Sequence, residues 1–247
     1  RLRSTPPSSL PTHATFLNFK RAITDPGFLP ALRMSLSITL ITVFIVLAFA
    51  FLAALAISRY RFRGRKSFVL AILIIQMLPA EGLFIAQYKM LSKVGEHVPA
   101  LGLNSVLGVT VLYSAAVIPF TIWMLRGFVA GVPVELEEAA MVDGLTRTKA
   151  FMRITFPLLA PGLVASGVYA FLQAWNEFTI ALVTLQEQNS RTLPLWLREF
   201  LNASVNRGVD WAQVMAASTI IAVPVIIFFL FVQGRMTSGL VSGAVKG

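Results

Sequence analysis

Five long apolar stretches limit what this chain can fold into more than any other feature. They run at about Leu32–Ser58, Phe68–Leu91, Asn104–Leu125, Leu158–Leu185 and Ala212–Gln233. A helix crossing the ~30 Å hydrocarbon core of a bilayer needs about 20 mostly apolar residues, each rising about 1.5 Å. Every stretch meets or approaches that length. Within hydrocarbon all backbone N–H and C=O groups must be paired inside the protein, and the alternating pattern of a membrane strand is nowhere visible, so helices are expected. The expected fold is an all-α polytopic membrane helix bundle.

Composition supports the same reading. Hydrophobic residues make up 56% of the 247 positions and charged ones 13%, with a mean hydropathy of +0.75, whereas soluble domains carry about 25% charged residues. Cysteine is absent, and the two histidines, His13 and His97, are not at ligand spacing. Neither a disulfide nor a metal site is therefore expected. The net charge of +10 would suit nucleic acid, but five bases, Arg59, Arg61, Arg63, Arg65 and Lys66, fall in one eight-residue connector between apolar stretches. That placement suits anionic lipid headgroups better than a nucleic-acid groove, so no nucleic-acid partner is expected.

The same connector sets orientation. Bases counted over all loops divide almost evenly, but density in short loops is what retains them on the cytoplasmic side. Parity then makes the connector 126–157 and a tail at 234–247 cytoplasmic, and residues 1–31 and the loop 186–211 external, around a transmembrane body at 32–233. The polar, Pro- and Ser-rich start shows no signal-peptide pattern. Five spans in this orientation leave Arg1 outside, so a sixth span is expected before it.

Prolines inside the stretches, Pro79, Pro119, Pro161 and Pro224, suggest kinked helices around a pathway. Gly162, Ser166, Ala170 and Ala174 form a row of small side chains at every fourth position, which permits close helix approach. Charged groups within spans are costly and usually face a cavity or a partner. Glu81 and the group Gln173, Trp175, Asn176 and Glu177 are accordingly candidate pathway residues, since carboxylates, amides and an aromatic face together suit a sugar. Helix-to-helix pinning is the competing use of the same residues.

The connector GVPVELEEAAMVDGLTRTKAFMRITFPLLAPG reads as two short helices joined by a turn. Pro133 suits a helix start, and Glu135, Glu137 and Glu138 complement the positive end of the helix dipole. Asp143-Gly144 is a stop signal, and Thr146 can cap the next helix. Such a helix suits a groove on a partner: Ala139 and Ala140 allow close approach, and Glu138 offers a carboxylate to a cation. The alternative is a surface helix lying on lipid, against which three carboxylates argue.

The string EEAAMVDG, with ITFPLLAP beginning at Ile154, resembles the EAA loop of permease subunits in binding-protein-dependent ABC importers. FLQAWNEFTIAL, from Phe171 to Leu182, is similar to a helix of the carbohydrate-importer permeases, and the ending GLVSGAVKG is similar to the tail of the maltose-type subunit. The resemblance implies that Glu138, Ala139, Ala140 and Gly144, with Asp143 beside them, are the core of a coupling helix inserted into a cytoplasmic ATPase. It implies tail contact with that ATPase through Gly243 and Lys246. It further implies a second permease subunit, an ATPase dimer that binds the ATP and Mg, an extracytoplasmic substrate-binding protein, and a di- or oligosaccharide as cargo in a bacterial inner membrane. Glycerol-phosphate compounds or polyols are alternatives, because related permeases carry them. The chain has no phosphate loop and neither a G-x-S-x-G nor an H-E-x-x-H motif, so it is not expected to be an enzyme. An ion-driven secondary transporter, with Glu81 as its coupling carboxylate, is the rival reading, but inverted repeats are not evident and the acidic connector would have no task.

Overall fold

The computed structural model describes residues 15–78, 80–205 and 211–244, and among them all regular structure is helical. In chain order the α-helices are α1 (Leu17–Ile23), α2 (Phe28–Arg59), α3 (Arg65–Gln76), α4 (Phe84–His97), α5 (Val106–Gly131), α6 (Glu135–Val142), α7 (Arg147–Ala150), α8 (Phe156–Trp175), α9 (Thr179–Thr184), α10 (Leu193–Val205) and α11 (Trp211–Ala244). Among the described residues, four segments are long and apolar enough to cross a membrane: Phe28–Arg59, Val106–Gly131, Arg147–Trp175 and Trp211–Gly234. Only 28% of the most apolar window of the first and 17% of that of the last is buried within the chain. Large side chains such as Phe44, Phe49, Leu52, Phe229 and Phe231 stand exposed along them. Helices apolar on their outward faces need lipid or another membrane helix as their surroundings.

Two expected spans are divided. The stretch Phe68–Leu91 is not one helix: α3 ends at Gln76, a 3₁₀ turn runs over Ala80–Leu83, and α4 follows. Its 12 residues make α3 about 18 Å long, short of a bilayer core. Pro79, at the break, lies outside the described residues. The stretch Leu158–Leu185 stops at Trp175 and restarts as the six-residue α9. At the other end, α11 does not stop at Gln233 but runs on to Ala244. Pro119, Pro161 and Pro224 lie inside helices that continue through them.

The chain divides into two compact units. One comprises Arg1–Thr39, Phe84–Thr110 and Trp175–Phe228. Here the loop expected at 186–211 contains a helix, α10, whose Leu193, Leu195 and Trp196 are buried. The Asp25 carboxylate accepts from the Trp196 indole N–H at 2.8 Å and from the Gly27 N–H at 3.0 Å, and the indole packs edge-on against Phe28. Buried Ser35 Oγ accepts the Leu193 N–H at 2.8 Å, so the first turn of α10 is tied to α2. Asn104 adopts φ +57° and its amide oxygen accepts the Gln186 and Glu187 N–H groups at 2.6 and 3.0 Å. Gly95 and Gly102 meet so closely that a Cβ on either would lie 2.8 Å from the other's Cα, which only glycine permits.

The other unit comprises Leu40–Leu83, Val111–Ala174 and Phe229–Gly247. Its core joins Ala50, Ala54 and Ile57 of α2, Ile72 of α3, Ile122, Leu125 and Val129 of α5, and Leu159 of α8. The residues that α2 and α5 contribute recur at spacings of three and four, as one helix face requires. The row of small residues on α8 does what its spacing implies. A Cβ on Gly162 would come within 2.4 Å of the Phe128 ring, and Ser166, Ala170 and Ala174 are buried.

Candidate functional site

The segment Pro133–Thr155 folds as two short helices and a turn, wholly within the second unit. Gly144 follows α6 at φ +91°, the left-handed conformation that ends a helix without steric cost to glycine. The Gly144 and Leu145 N–H groups donate back to the Met141 and Ala140 carbonyls at 3.0 and 3.1 Å, which satisfies the end of the helix. Thr146 caps α7, its hydroxyl accepting the Lys149 N–H. A π-helical turn, Phe151–Thr155, then leads into α8. Pro157 has no N–H for the Arg153 carbonyl, and the wide turn falls just before it. Phe51 of α2 packs on Phe151 and Phe156, which seats this junction on the core.

The three carboxylates of α6 separate into two tasks. Glu137 points inward: its carboxylate lies 3.5 Å from the Arg59 guanidinium and accepts the Thr155 hydroxyl at 2.7 Å. Arg59 and Glu137 are only 14% and 13% exposed, and Arg59 also donates to the Val132 carbonyl at 3.1 Å. The end of α2, the start of α6 and the π turn are thus fastened at one point. Charged groups this far from water have to be paired, and here they are. Glu137 is occupied in this clamp, and Ala140 is buried against the body of the unit instead of open to a partner.

The outward face is another set. Glu135, Glu138, Ala139 and Val142 are exposed, at relative positions 0, 3, 4 and 7, which is one face of an α-helix. Asp143 and Gly144 continue it, also exposed. Val142, 87% exposed, is an apolar side chain at the tip of this stripe that the sequence reading did not single out. Its signal was present in the spacing from Glu138 and Ala139. Beside the clamp is a cavity of about 360 Å³ lined by Leu55, Arg59, Tyr60, Val134, Glu137, Arg147, Thr148 and Phe151. The Arg147 guanidinium lies 5.9 Å from the Tyr60 ring centre, over its face.

Of the expected pathway residues, Gln173, Trp175, Asn176 and Glu177 have described side chains. Trp175 is buried, and its indole N–H donates to the Ile221 carbonyl of α11 at 3.3 Å, so it joins helices. Glu177 accepts the Ile180 and Ala181 N–H groups at 2.7 and 3.1 Å and so caps α9, supplying partners to backbone donors that have none within the helix. Both residues therefore have structural tasks, of the pinning kind. Gln173 and Asn176 are exposed. Glu81 belongs to the 3₁₀ turn at the break, and its side chain lies outside the described part of the structure. Gly243 falls near the end of α11, with Lys246 outside the described residues.

Comparison with known proteins identifies what this framework is similar to. Residues 47–240 match the family described as binding-protein-dependent transport system inner membrane component. The chain is 43% identical over 241 residues to the diacetylchitobiose uptake system permease protein DasC of Streptomyces coelicolor, covering 98% of this chain and 84% of that one. It is 33% identical over 236 residues to the trehalose/maltose transport system permease protein MalG of Thermococcus litoralis, covering 95% and 82%. Among solved structures it is similar to a chain of a bacterial ABC transporter involved in the import of the acidic polysaccharide alginate. The TM-score there is 0.71 at 24% identity, over 91% of this chain and 81% of that one, a likeness that concerns the fold.

Proposed function

This chain belongs to the inner membrane components of binding-protein-dependent transport systems, and on that premise we propose that it forms half of a carbohydrate translocation pathway and docks a separate ATPase through α6. The observation that carries the docking is the exposed stripe Glu135, Glu138, Ala139 and Val142 on a helix whose opposite side is clamped by Glu137, Arg59 and Thr155. A rigid helix with small, apolar and acidic residues on its free face suits a groove carrying a cation. Rigidity matters because a loose helix would absorb a push that a fixed one passes on to α2 and α8. ATP and Mg belong to the ATPase. Its closure would change the relative stability of two pathway states only as far as it grips α6 differently in each.

The relatives named for diacetylchitobiose, maltose and trehalose support a di- or oligosaccharide as cargo, delivered by an extracytoplasmic binding protein to this chain and a second permease. Gln173 and Asn176, the exposed members of the expected group, remain the pathway candidates here, together with Glu81. Gly243 and Lys246 are proposed as further ATPase contacts at the tail.

The test is Glu138→Lys in the complete importer reconstituted in proteoliposomes. ATP hydrolysis and uptake should lose their proportionality while the permease pair still assembles. Wild-type uptake per ATP in that variant would remove the docking proposal. Uptake driven by an imposed proton or sodium gradient without ATP would replace the importer reading with a secondary transporter.

A further inference from the structure

A second group of cations, apart from the clamp, lies where α3 begins. Arg65, Lys66, Val69, Leu70 and Leu73 of α3 and Arg126 of α5 line a cavity of about 270 Å³. No carboxylate lines it, and none of its three cations belongs to an ion pair among the described residues. The Arg126 guanidinium lies 5.4 Å from the centre of the Trp123 ring, and the indole is itself exposed. Lys66, Val69, Leu70 and Leu73 stand at relative positions 0, 3, 4 and 7, so one face of α3 carries a cation at its start and apolar side chains beyond it. Leu70, Leu73 and Ile74 are exposed. The first turn of α3 has no side-chain cap, which leaves the positive end of its dipole beside the cations.

We propose that this cavity holds one anionic phospholipid, its phosphate among Arg65, Lys66 and Arg126 and an acyl chain along Leu70, Leu73 and Ile74. This rests on membership of the membrane family and not on the docking of α6. Charge complementarity selects an anion, because three cations have no counter-charge within the cavity. The apolar face selects a lipid over a soluble anion, since a free phosphate would leave it unmatched. Trp123 has the amphipathic ring found at the level of headgroups.

The experiment uses the whole importer purified in mild detergent, offered phosphatidylglycerol and phosphatidylcholine in equal amounts, with retained lipid read by native mass spectrometry. Phosphatidylglycerol should be retained preferentially, one molecule for each copy of this chain at the lowest concentrations. Lys66→Gln with Arg126→Gln should weaken retention about thirtyfold, about fivefold for each lost cation. Lys66→Arg with Arg126→Lys should stay within about threefold. Arg61→Gln with Arg63→Gln, an equal charge loss in the same connector but outside the cavity, acts on the lipid only through screening solvent and should weaken retention by less than about threefold. Leu73→Ser should weaken it without touching a charge. An equal fall in the Arg61/Arg63 variant, or no fall in the Lys66/Arg126 or Leu73 variants, overturns the site. Displacement by soluble glycerol phosphate makes it a free-anion site and overturns the lipid. An assembled importer that retains no phosphatidylglycerol shows the face covered by a protein subunit and overturns it equally.

Discussion

Replacing Glu137 by alanine should release the end of α6 at a cost that can be worked from its contacts. The carboxylate serves two partners, Arg59 at 3.5 Å and the fully buried Thr155 hydroxyl at 2.7 Å. Removing one member of a largely buried ion pair costs about 3–5 kcal/mol, because the other charge is left without its counter-ion. Arg59 keeps the Val132 carbonyl at 3.1 Å, which holds the figure near the lower end. About 3 kcal/mol corresponds to a fall of roughly 6–12 °C in melting temperature for a chain of this size. Glu137→Gln keeps an oxygen for Thr155 and loses only the charge, so it should fall about half as far. Glu138→Gln, on the exposed face, should stay within about 0.5 kcal/mol. Thermal melts of the detergent-purified protein give all three numbers, and an Arg59→Ala/Glu137→Ala double-mutant cycle gives the coupling between the pair. Melts of Glu137→Ala and Glu138→Gln that coincide would refute the division of the carboxylates into an inward and an outward set.

Three further outcomes follow from the geometry. Gly144→Val, at φ +91°, should cost about 1–3 kcal/mol and weaken recovery of the assembled importer, read by melting and co-purification with the ATPase. Gly162→Val, pressed on Phe128, should cost about 1–3 kcal/mol through overpacking, whereas the same change at Gly127, where nothing approaches, should cost less. Glu177→Ala should loosen α9 by about 1 kcal/mol, seen as faster amide exchange at Ile180 and Ala181, with sugar affinity unchanged; altered affinity with unchanged exchange would return Glu177 to the pathway.

How far the sequence reaches depends on the range of the interaction involved. The Gly144 stop and the Thr146 cap are local, fixed by residues within a turn, and both are present as the residue types require. Small residues on α8 were readable for the same reason, since spacing alone puts Gly162, Ser166, Ala170 and Ala174 on one face. The side that Glu137 takes was not readable, because three similar carboxylates stand within four positions and the choice is made by Arg59, at the end of a different helix. Trp175 looked like part of a sugar path by chemistry, yet its partner is a carbonyl of α11 that no local pattern reveals. Apolar runs likewise set where hydrocarbon surrounds the chain but not where a helix breaks. Thus α3 and α4 read as one span, and the turn that Glu177 caps read as helix. Within the loop expected at 186–211, Leu193, Trp196 and Phe200 at spacings of three and four were a legible sign of α10 that length and polarity obscured.

The central claim is that the outward face of α6 meets the ATPase on the cytoplasmic side, and a single thiol tests it most directly. The chain has no cysteine, and Val142 on that face is 87% exposed, so Val142→Cys offers one unambiguous label position. A membrane-impermeant maleimide applied to inside-out vesicles should modify it readily when the permease is made alone and only slowly once the ATPase is bound. Labelling from the external side, or equal labelling rates with and without the ATPase, would contradict the account.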